Sequence, residues 1–217
     1  VKESASYLLS IFLSPSGPHY HQELNPISLL TTDKFHRVAP GGTGQAKTGG
    51  NYAASLRAKR YASCHGAEQV LFLDVTNRYI EEAGAMNHYH VEENKIIIPE
   101  FTDTILESIT SRSFLELGTR IGCEVRQARI PLDEFIEKIQ SGEITEAGGL
   151  GTAAVVSPVG EYIVDLQPYQ EKRKDKLLVG ERKVGPVSRK MFETLTAIQR
   201  GKEEAPEGWL QKVQQVG

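Results

Sequence analysis

Lys47 lies in the stretch Gly41-Gly42-Thr43-Gly44-Gln45-Ala46-Lys47-Thr48-Gly49-Gly50-Asn51-Tyr52. Five glycines surround this one amine, and a phenol follows five residues on. Glycine lets a backbone approach a ligand closely and adopt positive φ. A lysine in that setting can clamp a phosphate, or it can form a Schiff base with a carbonyl. The phosphate-clamp reading is a G-x-x-x-x-G-K-[ST] loop between a strand and a helix. Gly41 and Lys47-Thr48 fit it, but Ala46 stands at the required glycine. Val70-Leu71-Phe72-Leu73-Asp74 even imitates an apolar strand ending in a magnesium-binding Asp. Against this reading, Pro40 cannot donate in a preceding ladder, and Gly49-Gly50 would weaken the helix that should open after Thr48.

The Schiff-base reading has more of the chain behind it. Lys47-Thr48-Gly49-Gly50-Asn51-Tyr52 resembles the K-x-G-G-N-Y signature of the branched-chain aminotransferases, which are fold-type IV pyridoxal-phosphate enzymes. Arg37 through Gly44 resembles that family's approach to its lysine, and Gln69 through Asp74 its Q-V-L-x-L-D strand. Tyr79 through Asn87 resembles Y-I-E-E-x-G-x-M-N, and Gly151 through Gly160 resembles G-T-A-A-x-x-x-P-V-G. The tail from Gly185-Pro186-Val187 through Ile198-Gln199, and Gly208-Trp209, fits as well. The resemblance starts at Val1–Phe12, which looks like the strand near the junction of the family's two domains, so the smaller N-terminal domain is not matched.

What this implies can be set out residue by residue. The cofactor would be pyridoxal 5′-phosphate. Lys47 would form its aldimine and carry the proton to and from the amino-acid α-carbon. Glu82 would face the protonated pyridine nitrogen and keep the ring an electron sink. Tyr52 would bond the phenolic oxygen and border the substrate. Ile109 and Thr110, at the start of a helix, would cup the phosphate, helped by the Thr152 hydroxyl. The N–H groups of Thr152 and Ala153 would hold the substrate carboxylate. The implied reaction is ping-pong transamination of Leu, Ile or Val with 2-oxoglutarate, by a homodimer or larger homo-oligomer. A D-amino-acid transaminase, an aminodeoxychorismate lyase and a non-catalytic binding protein on the same fold remain as alternatives.

Beside each role stands a plainer one: a surface lysine, a core tyrosine, two solvated acids at a turn. Adjacent strand residues face opposite sides, so only one of Glu81 and Glu82 can point at the ring. The family's L-P-G-[IV]-T-R reads Leu106-Glu107-Ser108-Ile109-Thr110-Ser111, with serine for glycine and arginine displaced to Arg112. A serine there can still cap a helix. Gly148-Gly149-Leu150 and His88-Tyr89-His90 also depart from the pattern, which leaves substrate choice open. His88 and His90 share a strand face, and His65 or Glu92 could add a third metal ligand. No spacing fixes one, and no metal is expected.

The elements that must position these groups read as follows. Tyr7–Leu13 is an apolar run expected to be a buried strand, followed by a turn over Ser14–Pro18. Short strands are expected at Ile27–Leu30, Val70–Asp74, Tyr79–Glu82, Asn87–Val91, Lys95–Ile98, Val125–Ile130 and Ala153–Val159. Helices are expected at Asn51–Gly66, with Asn51 as N-cap, and at Ser108–Ile121, Asp133–Ser141 and Ser188–Arg200. The charge runs Glu171–Lys176 and Glu181–Lys183 read as a solvated hairpin or loop. Strands outnumber helices and mix with them, so the class is α+β (mixed α/β); the resemblance makes it a strand-rich pseudo-barrel with surrounding helices. Residues 1–217 would form a single cofactor-binding domain, with 1–36 as junction strands and 37–217 as its core.

The 217 residues carry a net charge of −3 with both signs interspersed, which does not suggest nucleic acid or a membrane surface as partner. No apolar run approaches the roughly 18 residues of a spanning helix. Cys64 and Cys123 make no disulfide framework, so a cytoplasmic setting is the default.

Overall fold

The computed structural model describes residues 2–14, 24–166 and 175–211. Its strands are β1 (Ile27–Thr32), β2 (Gln69–Leu73), β3 (Ile80–Ala83), β4 (Met86–Glu92), β5 (Lys95–Pro99), β6 (Glu124–Ala128), β7 (Ile144–Gly151), β8 (Val155–Asp165) and β9 (Asp175–Leu178). The helices are α1 (Gly49–Cys64), α2 (Ile109–Ile121), α3 (Leu132–Ser141) and α4 (Pro186–Gln199). The strands form one mixed sheet in the order β3-β2-β1-β8-β7-β4-β5-β6, with β9 on β8. A further pairing, β3 with β4, joins the path back on itself, so six strands close like a barrel and β5 and β6 extend from it. This is the α+β, barrel-like architecture that the sequence suggested.

Alternation along the strands divides the core. Leu29, Leu71, Leu73, Ile97, Val159 and Tyr162 pack on Phe135 and Ile139 of α3. From the same strands, Leu30, Val70 and Phe72 face Ala58 and Ala62 of α1. Tyr89, Val91, Ile96 and Ile98 face Phe114, Leu117 and Ile121 of α2 and Met191, Leu195 and Ile198 of α4. Each helix therefore sits where successive side chains of the barrel wall point outward or across its end.

Several elements differ from the sequence expectation. Residues 2–14 form no strand, and Tyr7, Leu8, Leu9, Ile11, Phe12 and Leu13 are 81–96% exposed. An apolar run becomes a buried strand only where something covers it, and β1, which follows, already has β2 and β8 on its two sides. Of the turn expected at Ser14–Pro18, all but Ser14 lies outside the described residues, as does the charge run over 171–174. Lys176 belongs to β9, while Glu181–Lys183 is exposed around a single 3-10 turn. Helix α1 begins at Gly49 with Thr48, not Asn51, as its N-cap.

Strand β7 was hidden by its own composition. Glu146 and Gly148-Gly149 are poor strand formers, yet the strand pairs with β4 and β8 along its length. The glycines are needed there: a Cβ on Gly148 would lie 2.5 Å from Tyr89 Cε1 and 2.6 Å from the Ser157 carbonyl. Buried Glu146 closes the N-terminus of α4, accepting from the N–H groups of Val187 (2.9 Å) and Ser188 (2.7 Å), which also suits the helix dipole.

Candidate active site

The glycine-rich loop before α1 is tied to that helix by one side chain. Asn51, buried in the first turn, donates to the carbonyls of Thr43 (2.7 Å) and Ala46 (3.0 Å) and accepts from Thr43 Oγ1 (2.7 Å). The loop thus has a fixed shape, and it presents Lys47 at the surface. Lys47 Nζ donates to Tyr52 Oη at 2.8 Å, one turn into α1. Helix α1 does open directly after Thr48, glycines notwithstanding, but an irregular segment of loop and bends separates β1 from Lys47. That is not the short strand-to-helix loop of a nucleotide site.

Glu81 and Glu82 are both buried, at 5% and 3% exposure, which rules out two solvated acids. The β2–β3 register shifts between Phe72 and Leu73, pairing Phe72 with Glu82 and Leu73 with Ile80, so Glu81 is an extra residue in β3 and strict alternation does not separate the two acids; their partners do. Glu81 accepts from Thr104 Oγ1. Glu82 Oε1 accepts from the Leu106 N–H (2.8 Å) and Asn87 Nδ2 (3.2 Å), and its Oε2 lies 3.0 Å from Arg37 Nε. Burial pushes the Glu82 carboxyl up to about 7, against the pull of Arg37, the Leu106 N–H and Lys47. Burial raises Glu81 too, opposed by the Thr104 hydroxyl.

Arg37 is a residue whose role the sequence reading missed. Buried itself, it donates through Nη2 to the carbonyls of Gly44 (3.0 Å) and Thr104. It thereby joins the Lys47 loop, the segment before α2 and Glu82. Its place ten residues before Lys47, inside the matched approach, was the available signal. The Arg37 Nε contact with Glu82 is close but poorly aligned, so that N–H has no hydrogen-bond acceptor among the described residues. Arg37, Tyr52, Glu82, Gln69, Lys59 and Gly84 help line a cavity of about 190 Å³ between α1 and the barrel.

Ser108 caps α2, its Oγ accepting from the Ser111 N–H at 3.1 Å. Ile109 and Thr110 follow in the first turn, where helix N–H groups lack intrahelical acceptors. Thr110 is buried, while the Ile109 side chain is 72% exposed. Arg112 pairs only loosely with Glu107, at 3.7 Å on the surface. Thr152 and Ala153 are exposed in the β7–β8 turn. The register Asn87↔Leu150 sets that turn just beyond the partner of Asn87. Glu82, Asn87, Arg37 and the start of α2 are thus linked by direct bonds. Lys47, Ile109, Thr110, Thr152 and Ala153 do not line this cavity, and Ile109 lines another, with Phe101, Arg112 and Trp209.

A buried carboxylate beside an unsatisfied guanidinium N–H, a lysine–phenol pair and a capped helix start form a donor set that fits pyridoxal phosphate. The 190 Å³ cavity is below the usual size of an enclosed ligand pocket, so it does not by itself enclose the whole group.

His88 and His90 lie side by side with ring centroids 5.9 Å apart. His88 Nε2 meets Tyr162 Oη at 2.9 Å and His90 Nε2 meets Glu92 at 2.9 Å, with Phe135 edge-on to both rings. Burial holds both imidazoles below their ordinary range. His65 is elsewhere, bonded to the Tyr61 carbonyl. Among the described residues no three His, Cys, Asp or Glu side chains are grouped to hold a metal ion, and no helix is long and apolar enough to cross a membrane.

A family model for amino-transferase class IV matches residues 2–162. The chain belongs to the class IV amino-transferases. This class IV amino-transferase is 42% identical over 211 residues to a probable branched-chain-amino-acid aminotransferase of Staphylococcus aureus, covering 96% of this chain and 57% of that protein. It is 41% identical to branched-chain-amino-acid transaminase 1 of Bacillus subtilis, covering 98% of this chain and 58% of that one. It therefore spans little more than half the length of the relatives it matches. Its fold resembles that of the Escherichia coli branched-chain amino acid aminotransferase, with TM-score 0.70 and 29% identity over 88% of this chain and 58% of the other. A second solved enzyme of the same name, from T.th. and with pyridoxamine 5′-phosphate, gives TM-score 0.70 and 27% identity over 90% of this chain and 58% of the other.

Proposed function

We propose that this chain is the cofactor-binding part of a pyridoxal-phosphate-dependent transaminase for Leu, Ile and Val, with 2-oxoglutarate as the amino acceptor in a ping-pong course. The observation that carries the reading is the buried Glu82 carboxylate, held by Arg37, Asn87 and the Leu106 N–H, with the Lys47–Tyr52 pair beside the same cavity. The names of the relatives support the branched-chain substrates and favour neither a D-amino-acid transaminase nor a lyase. A cytoplasmic location, homodimeric assembly and a single domain over 1–217 belong to the same proposal.

When bound, pyridoxal phosphate supplies an aldehyde that condenses with amines and a ring that accepts the electron pair left at the α-carbon. The protein's part is as follows. Lys47 takes and returns the proton at the α-carbon, and Tyr52 orients its amine. Glu82 would hold the ring nitrogen; its Oε1 already accepts from Leu106 and Asn87, and its Oε2 lies beside Arg37 Nε. Ile109 and Thr110 offer N–H groups to the phosphate, with the Thr152 hydroxyl. The N–H groups of Thr152 and Ala153 receive the substrate carboxylate.

The test is the visible spectrum of the chain with added pyridoxal phosphate. A yellow band that borohydride fixes to the protein, present in wild type and absent in Lys47→Ala, is expected. Without a band in wild type, the cofactor reading fails.

A further inference from the structure

The start of helix α2 is joined to Glu82 by a chain of hydrogen bonds with a single direction. Ser108 Oγ donates to Ser111 Oγ (3.0 Å), and Ser111 Oγ donates to Asn87 Oδ1 (2.7 Å). Asn87 Nδ2 donates to Glu82 Oε1 (3.2 Å) and to the Leu106 carbonyl (2.9 Å). Ser111 is fully buried, and Asn87 and Glu82 are 3% exposed each. An amide has one accepting and one donating end. The Leu106 carbonyl and the carboxylate both take the donating end of Asn87, and the Ser111 hydroxyl satisfies its accepting end, so the buried amide is held at both ends in one orientation. Without the Ser111 hydroxyl, Asn87 Oδ1 would be a buried acceptor with no donor, and the amide would be free to move away from Glu82 Oε1. Ser111 stands where the resemblance places arginine, so this link is a feature of this chain.

We propose that Ser111 is a positioning residue that acts through Asn87 to keep Glu82 Oε1 an acceptor, and so ties the ring-nitrogen carboxylate to the helix start that takes the phosphate. The inference deepens the transaminase reading and rests on it for the identity of the ligand. The charged groups facing Glu82 are Arg37 and Lys47 from the glycine-rich loop side and Glu81 from its own strand. None of them touches Ser111, so removing that hydroxyl leaves their charges in place.

The experiment is a carbon-13 NMR titration of the Glu82 carboxyl in the cofactor-free chain, followed by pyridoxal phosphate affinity. The variants are Ser111→Ala, Ser113→Ala and each of these with Glu82→Gln. Ser113 is the control: it is on the same helix, but its hydroxyl bonds the Ile109 carbonyl (2.9 Å) of its own helix. Ser111→Ala is expected to raise the proton affinity of Glu82 about 3- to 10-fold, the equilibrium weight of one such hydrogen bond, with Ser113→Ala near wild type. Cofactor affinity should fall by a similar factor in Ser111→Ala, and by less when Glu82 is already Gln. Equal titrations in the two serine variants would overturn the proposal. So would an affinity loss from Ser111→Ala that Glu82→Gln leaves unchanged, because the hydroxyl would then act on the phosphate alone. If wild type binds no pyridoxal phosphate, the transaminase reading falls, while the titration still decides whether Ser111 sets Glu82.

Discussion

Arg37 and Glu82 form a buried ion pair whose weight depends on pH. A carboxyl that titrates near 7 in the fold and near its ordinary 4.5 when unfolded favours the folded state while protonated. That contribution is complete below about pH 4.5 and is lost as pH rises through about 7. Removing Arg37 takes away the principal charge that opposes this, so the folded carboxyl moves higher still. Arg37→Ala is therefore expected to destabilise modestly near pH 6, by about 1–3 kcal/mol, and more near pH 8, where wild-type Glu82 ionises beside Arg37 while in the variant it must keep a proton that the unfolded chain releases. Urea denaturation at the two pH values checks this, and a loss independent of pH would mean that only the bonds to Gly44 and Thr104 matter.

Strand β7 shows how an element can be set by its neighbours. It is held between β4 and β8, and its glycines leave room for Tyr89, whose hydroxyl meets Ser188 Oγ at 2.7 Å. Gly148→Ala would place a methyl against both the Tyr89 ring and the Ser157 carbonyl. One of these is backbone, so the strand itself must shift. The expected loss is about 1–3 kcal/mol or more, read as a lowered midpoint of denaturation. Because Leu150 pairs with Asn87 in the same register, the Thr152–Ala153 turn should move as well, and cofactor affinity should drop with stability. A stability loss with unchanged affinity would separate the strand from the site.

On the whole molecule, the exposed run Tyr7–Leu13 is the surface least suited to water. Six large apolar side chains within seven residues, each at least 81% exposed, are the kind of exposed apolar surface that marks contacts with other protein surfaces. The chain is expected to associate as its concentration rises. Leu9→Asp together with Leu13→Asp should suppress that association without lowering the melting temperature, because these side chains give up no packing. Light scattering against concentration, with a thermal scan, measures both; a lower melting temperature would show that the run packs on the fold in solution.

The sequence alone determined Lys47, Tyr52 and Glu82 as the chemical candidates, most of the strands and all four helices. These depend on local matters: a motif of fixed spacing, period-two alternation, a capping serine, a glycine at a helix end. The preference for Glu82 over Glu81 came from the family pattern, because alternation could say only that one of the two would face the ring, and the register shift at Glu81 breaks that alternation. Arg37, Asn51 and Asn87 as structural ties, the strand β7 and the bare state of Tyr7–Leu13 were not legible. Each depends on what lies across space: which carbonyls a guanidinium reaches, which strands flank two glycines, whether anything covers an apolar run. Local chemistry is written residue by residue, but burial and partnership exist only once distant segments have been brought together.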